Sequence, residues 1–193
     1  CSFWAYDDSD MLASRQMLEE FCNEPHRRIL ARLPLRPLVP YRRMATTHLW
    51  TAETFDRVAR IKDWIIAQFM ASDAEALFLV DSDVLIHPDL PRHLDSLNLP
   101  IVSEVFWTRW QTQTPLLPQV WHTHPGGYPN AEWITRLRTP GVYRVGGLGA
   151  CTLIRRSALA YGLNFAPIEG LYYVGEDRYF CVRANVFGLP LYV

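Results

Sequence analysis

Ala76-Leu77-Phe78-Leu79-Val80-Asp81-Ser82-Asp83 is the stretch on which the fold turns. Five apolar residues in succession have strand length and no alternation, the pattern of a central parallel strand covered on both faces. The run stops at two acids. Asp81 and Asp83 therefore fall at the carboxyl end of a strand, where open α/β sheets place their ligand crevice. Two carboxylates one residue apart repel each other unless a cation is near, and hard oxygen donors of this kind suit Mg²⁺ or Mn²⁺, which in turn grip a diphosphate.

Outward from this strand, helices and strands alternate. Thr51 caps a helix expected over 51–70, with Phe55, Val58, Ile61, Ile65, Ile66 and Phe69 inward and Ser72-Asp73 ending it. A short helix at 90–97 leads to a strand at 100–106. Residues 107–130 carry Pro, Gln, Thr, His, Gly and three Trp without periodicity and read as a long loop. A short helix at 131–137, strands at 142–145 and 151–154 around Gly146-Gly147-Leu148-Gly149, and a helical turn or two at 155–161 follow. The last helix spans 176–187, with Phe180, Cys181, Ala184 and Phe187 inward, Gly188 at its end and a strand at 189–193. Toward the amino terminus, 1–6 reads as a buried strand ending at Asp7-Asp8-Ser9-Asp10. A helix at 11–21 turns Leu12, Met17, Leu18 and Phe21 inward, and the Pro- and Arg-rich 24–41 has room for at most a short strand at 29–33. The expected fold class is α/β, a mostly parallel central sheet flanked by helices.

At 193 residues, 49% hydrophobic and 20% charged, the chain suffices for a single domain over 1–193 with a full core, and disorder, collagen and coiled coil are excluded. A net charge of −1 speaks against a nucleic-acid binder, and prolines interrupt the Arg-rich 27–43. Cys1, Cys22, Cys151 and Cys181 form no CxxC pair, so zinc and thioredoxin-like chemistry lack support and a reduced, cytoplasmic protein is expected. No apolar stretch reaches the ~18 residues that span a bilayer, leaving at most a peripheral membrane association. Lys62 is the single lysine, against eighteen arginines.

Gly147 and its neighbouring glycines let backbone approach a ligand or simply turn tightly, without the strand-GxGxxG-helix context of a dinucleotide site. Trp107, Trp110, Trp121 and Tyr128 offer faces for a sugar ring or for ordinary packing. His122 and His124 read as surface residues, and His87 and His93 flank the acidic turn without ligand spacing.

The segment 77–84 resembles the DxD segment of GT-A glycosyltransferases, the family-2-like enzymes especially. That resemblance implies a nucleotide-diphospho-sugar transferase fold and a metal held by Asp81 and Asp83. It also implies a donor such as a UDP- or GDP-sugar and a carbohydrate or other hydroxyl acceptor. Tyr6-Asp7-Asp8-Ser9 resembles the acidic strand end at which these enzymes hold base and ribose, which puts Asp7 and Asp8 at the donor. Arg60-Ile61-Lys62 lies where the family often carries an Arg-Asn pair facing the diphosphate. Gly175-Glu176-Asp177, followed by Phe180 and Arg183-Ala184, resembles its late ED…R motif, whose acceptor-side carboxylate is the general base of inverting transfer. Asp177 is that base by preference and Glu176 second. The family begins one strand earlier and supplies a further metal ligand, often His, after the last strand; the chain is expected to lack both.

Two alternatives use the same residues. Asp81-Ser82-Asp83-Val84-Leu85 also resembles the nucleophile motif of haloacid-dehalogenase-type phosphatases, whose chemistry needs a downstream lysine, and none follows Lys62. A non-catalytic nucleotide-sugar binding domain would keep the fold without turnover.

Overall fold

The computed structural model describes residues 3–9, 11–23, 40–42, 49–109, 113–123, 130–173 and 175–193. The chain divides into two compact units, 1–54 and 55–193.

In the first unit the eleven-residue helix α1 (Leu12–Cys22) forms where the periodicity predicts it, yet it buries none of its residues, and Met11, Leu12 and Met17 are exposed. The strand expected at 1–6 does not form over residues 4–6. A strand needs a partner ladder; here Phe3 instead meets the Phe21 ring edge-on at 5.1 Å. Asp7 turns the chain by accepting the Ser9 N–H at 3.1 Å, and Asp8 accepts the Tyr41 hydroxyl.

The second unit is a mixed α/β structure. Its first helix, α2 (Ala52–Met70), starts at Thr51, whose Oγ1 accepts the Thr54 N–H at 3.3 Å. The apolar run forms β1 (Ala76–Val80), within the expected bounds. Then follow α3 (Leu90–Ser96), β2 (Ile101–Ser103), β3 (Trp107–Thr108), β4 (Leu117–Pro118), α4 (Ala131–Arg136) and β5 (Arg144–Val145). The chain continues through β6 (Cys151–Arg155), α5 (Arg156–Leu159), α6 (Glu176–Val186) and β7 (Leu191–Tyr192).

The principal sheet has the order β1-β6-β2-β7-β5. Only β2 with β7 pairs in parallel; β6 runs antiparallel to both β1 and β2, and β5 to β7. This corrects the expected mostly parallel sheet. A strand buried on both faces shows the same unbroken apolar run whichever way it points, so the pattern reports burial and is silent on direction. β1 is also less central than its composition predicts: among the described residues it pairs only with β6, and Val80 is 36% exposed. The interior of the sheet is β6, paired on both sides, and β2 at its centre; Leu153 of β6 is buried and Ile154 fully so. Leu153 packs with Val102 of β2 and with Leu90 and Leu94 of α3.

Residues 107–130 are not loop throughout, because β3 and β4 pair as a two-stranded ribbon with Trp107 opposite Pro118. Two-residue strands are too short to carry a period, which is why the sequence conceals them. Arg156 ties α2 to the sheet. Its guanidinium donates to the carbonyls of Phe69 at 2.9 Å, Ser72 at 2.7 Å and Ala74 at 2.7 Å, meeting acceptors that a helix end leaves open.

Candidate functional site

The buried stripe of α2 runs through Ala59, Lys62, Ile66 and Phe69, three or four residues apart. The single lysine thus enters the interior on a face of otherwise apolar residues. Its stem packs inside, and its ammonium lies 5.2 Å from the centre of the Phe165 ring. Phe165 is itself stacked on Phe180 of α6 at 4.7 Å, and its N–H is accepted by Asp63 at 2.6 Å.

Three carboxylates converge on that ammonium. Lys62 Nζ lies 2.7 Å from Glu176 Oε1, 2.9 Å from Asp177 Oδ1 and 3.7 Å from Asp81 Oδ1. Asp81 comes from the end of β1, where its N–H donates to the Ala150 carbonyl at 2.9 Å and its own carbonyl accepts the Val84 N–H at 3.1 Å. Ala150 reaches this position with φ +55°, a left-handed backbone that costs a residue with Cβ roughly 1–2 kcal/mol. Glu176 and Asp177 open α6, in the first turn where the helix dipole favours acids. Gly175, with φ +107°, makes the turn into that helix, a conformation only glycine adopts without strain.

Gly149 sets the other wall. A Cβ there would stand 2.6 Å from Asp177 Cγ, so only a bare Cα lets the loop close on the carboxylate. Asn185 of α6 fastens the same loop by donating from Nδ2 to the Gly146 carbonyl at 3.0 Å. Cys181 packs under it, and burial pushes its thiol up to about 12.

Burial works against the Lys62 charge, but attraction from Asp177, Asp81 and Glu176 outweighs it and holds the ammonium well above its ordinary pKa. Burial dominates at Asp177, with repulsion from Glu176 and Asp81 adding to it against the pull of Lys62, and the carboxyl is pushed up to about 7. Burial likewise raises Asp81. A half-enclosed carboxylate that titrates near neutrality can take a proton from a hydroxyl and release it again.

Three carboxylates against one ammonium leave surplus negative charge, and the exposed Asp83 adds to it. Among the described residues no group of three His, Cys, Asp or Glu is arranged to hold a metal. Asp81 and Asp83 nonetheless fit a hard divalent cation, since Mg²⁺ is commonly held by one or two carboxylates with water and substrate phosphates completing its shell.

The other site candidates scatter. Arg60 points to solvent and pairs with Asp56 at 3.1 Å. Gly147 lies under the Trp121 ring, which a Cβ would meet at 2.5 Å, and bridges the Trp121 backbone. Asp7 and Asp8 belong to the first unit. Arg183 donates from Nη1 to the Ala166 carbonyl at 2.7 Å and so braces the chain around Phe165. His122 stacks on Trp133 at 4.3 Å, whereas His87 and His93 are exposed. Trp107 carries the Arg138 guanidinium 4.7 Å from its ring centre. Trp110, His124, Tyr128 and nearly all of the Arg-rich 27–43 lie outside the described residues.

Sequence reasoning missed Gly149 as the glycine that matters to Asp177, and it missed the burial of Lys62. The signal for the second was present: a lone lysine three residues after Ala59 and four before Ile66 shares their helical face.

No protein-family model matches this chain, and no curated protein matches it significantly. Among the described residues no helix is long and apolar enough to cross a membrane.

Proposed function

We propose that this chain is a metal-dependent glycosyltransferase of GT-A type that moves a sugar from a nucleoside-diphosphate-sugar to an acceptor hydroxyl with inversion. One observation carries the reading. Asp81 and the Glu176-Asp177 pair, distant in sequence, meet around one ammonium, and these are the two segments that resemble the DxD and ED motifs.

In this reading Asp177 accepts the proton of the acceptor hydroxyl as its oxygen bonds to the anomeric carbon. The bond from that carbon to the diphosphate breaks, and its electron pair leaves with the nucleoside diphosphate. Asp81 and Asp83 would hold Mn²⁺ or Mg²⁺, which when bound would supply positive charge for the leaving phosphate. Lys62, buried beneath the carboxylates, is a positioning residue: it holds Glu176 and Asp177 in one geometry and limits their repulsion.

The test is thermal stabilisation by UDP, GDP and CDP, each with and without Mn²⁺. The expected result is a shift that needs nucleotide and metal together and disappears in Asp83→Ala. No shift with any combination overturns the proposal. Asp177→Asn is expected to keep the shift and lose turnover, which separates an enzyme from a binding domain.

The phosphatase reading gains one specific observation, since Lys62 stands 3.7 Å from Asp81 although it precedes it in the chain. Hydrolysis of p-nitrophenyl phosphate that vanishes in Asp81→Asn, with no nucleotide-dependent shift, would favour it.

A further inference from the structure

Arg178 follows Asp177 in the first turn of α6. Its guanidinium lies 4.9 Å from the centre of the Trp121 ring and 6.0 Å from that of Tyr173, so cation–π attraction from two rings holds it. Among the described residues no carboxylate pairs with it, and its Nε is buried without a hydrogen-bond partner. Arg60, Arg92 and Arg155 of this unit pair with carboxylates and Arg156 and Arg183 with backbone carbonyls; Arg136 and Arg138 also lie over rings, but Arg178 is the one of these three with a buried, unmatched Nε and a place beside Asp177. A guanidinium has five donors and no acceptor; the buried Nε–H is left unmatched, which is unfavourable, and the terminal N–H groups make no hydrogen bond within the described residues.

The stack shares its support with the base. The Trp121 ring rests on Gly147, Trp121 N–H donates to the Gly147 carbonyl at 2.9 Å, and two residues further the same loop closes on Asp177 through Gly149. Arg178 and Asp177 are consecutive on α6 and face one glycine loop, the first through Trp121 and the second directly.

We propose that Arg178 binds an oxyanion, phosphate or carboxylate, of the ligand that enters beside Asp177. Two rings restrict where the guanidinium can lie, and a guanidinium so held can present paired N–H groups to a planar carboxylate or a phosphate edge. The site stands on the stack and the unmatched donors; only the molecule carrying the oxyanion rests on the transferase reading. It is then an acidic group of the acceptor or the diphosphate of the donor.

The full chain, as wild type, Arg178→Gln and Arg178→Lys, is titrated with inorganic phosphate and with glucuronate at constant ionic strength, without nucleotide or divalent cation. Calorimetry and thermal shift report binding, and circular dichroism reports folding. The expected result is saturable binding of at least one anion by wild type. Its apparent Kd rises at least tenfold in Arg178→Gln and less in Arg178→Lys, which keeps the charge and loses the planar fork. Equal affinity in wild type and Arg178→Gln, or no saturable binding by wild type, overturns the proposal. Should Arg178→Gln fail to fold, Arg178→Lys decides: an unchanged Kd overturns the proposal and a raised one supports it.

A second arm titrates UDP and GDP with Mn²⁺. A tenfold loss in Arg178→Gln assigns the oxyanion to the donor, whereas unchanged nucleotide binding assigns it to the acceptor. Anion binding that depends on Arg178 with no nucleotide binding at all upholds the oxyanion site and overturns the transferase, so the two failures are distinct.

Discussion

Arg60 and Lys62 stand two residues apart on α2, and Asp81 and Asp83 two residues apart at the end of β1, yet in each pair one member joins the ammonium–carboxylate cluster, Asp81 from its partly exposed rim, and the other faces solvent. On a helix, two residues are about 200° of rotation, so the two cations point to opposite sides of α2. The buried half is over-determined: Lys62 meets three carboxylates, Phe165 lies under it and Gly149 closes over Asp177. The exposed half is simple, with Arg60 in a solvated pair and Asp83 open to water. Identical charge types therefore do different work. Inside, they hold one another in place; outside, Asp83 remains available to whatever approaches.

Removing the buried cation is the strongest way to break this contrast. Lys62→Met leaves three carboxylates without their counter-charge and is expected to lose about 3–5 kcal/mol in urea unfolding, the scale for breaking a buried ion pair. Adding Glu176→Gln to it should restore part of that loss, and a strictly additive double variant would show that the two groups do not interact. Gly149→Ala comes next. Its Cβ collides with the Asp177 carboxylate, for an expected loss of roughly 1–3 kcal/mol, with turnover falling in step.

Asp177→Asn sharpens the comparison through pH. Because burial raises the native carboxyl to about 7, above its ordinary value near 4, the native state binds the extra proton between those limits. This contribution to stability is complete below about pH 4 and lost as pH rises through about 7. The wild-type Tm should therefore fall relative to Asp177→Asn between pH 5 and 8, and parallel Tm curves would refute the assignment. In the same variant turnover should drop by roughly 10²–10⁴-fold, the usual worth of a general base, while wild-type kcat/KM rises through pH 7.

On the exposed side, Asp83→Ala should leave stability within about 0.5 kcal/mol and abolish the metal-dependent nucleotide shift. Arg60→Ala is the smallest effect, about 0.3–0.5 kcal/mol for a solvated i,i+4 pair. A loss of more than 1 kcal/mol there would erase the distinction between the two halves.

Much of this geometry was legible in the sequence, and the failures share a cause. The bounds of β1 and the starts of α2 and α6 follow from apolar runs, a threonine cap and a glycine before two acids, all local signals. The meeting of Asp81 with Glu176 and Asp177 around Lys62 is tertiary, and no periodicity of the sequence shows it. Strand direction, the β3–β4 ribbon and the stack of Arg178 on Trp121 were not anticipated, since each depends on partners far away in sequence. The buried stripe of α2 takes in Ala59 and Lys62 besides the expected Ile66 and Phe69; apolar periodicity does not report a buried lysine, whose aliphatic stem and acid partners let it join the stripe.

The position of β6 also has a kinetic consequence. β1 and β2 do not pair with each other; both ladder onto β6, and β2 adds one parallel pair with the still later β7, so Ala76 waits for Arg155 and Ile101 for Ile154. Contacts of such sequence separation are closed late and slowly. A growing chain would thus carry two apolar, unpaired strands past the ribosome until residue 155 is made, a window in which a holding chaperone has something to grip. Pulse-labelled hydrogen exchange during refolding should show β1 and β2 amides becoming protected together, at the moment β6 does. Earlier protection of either strand would mean that another partner holds it first.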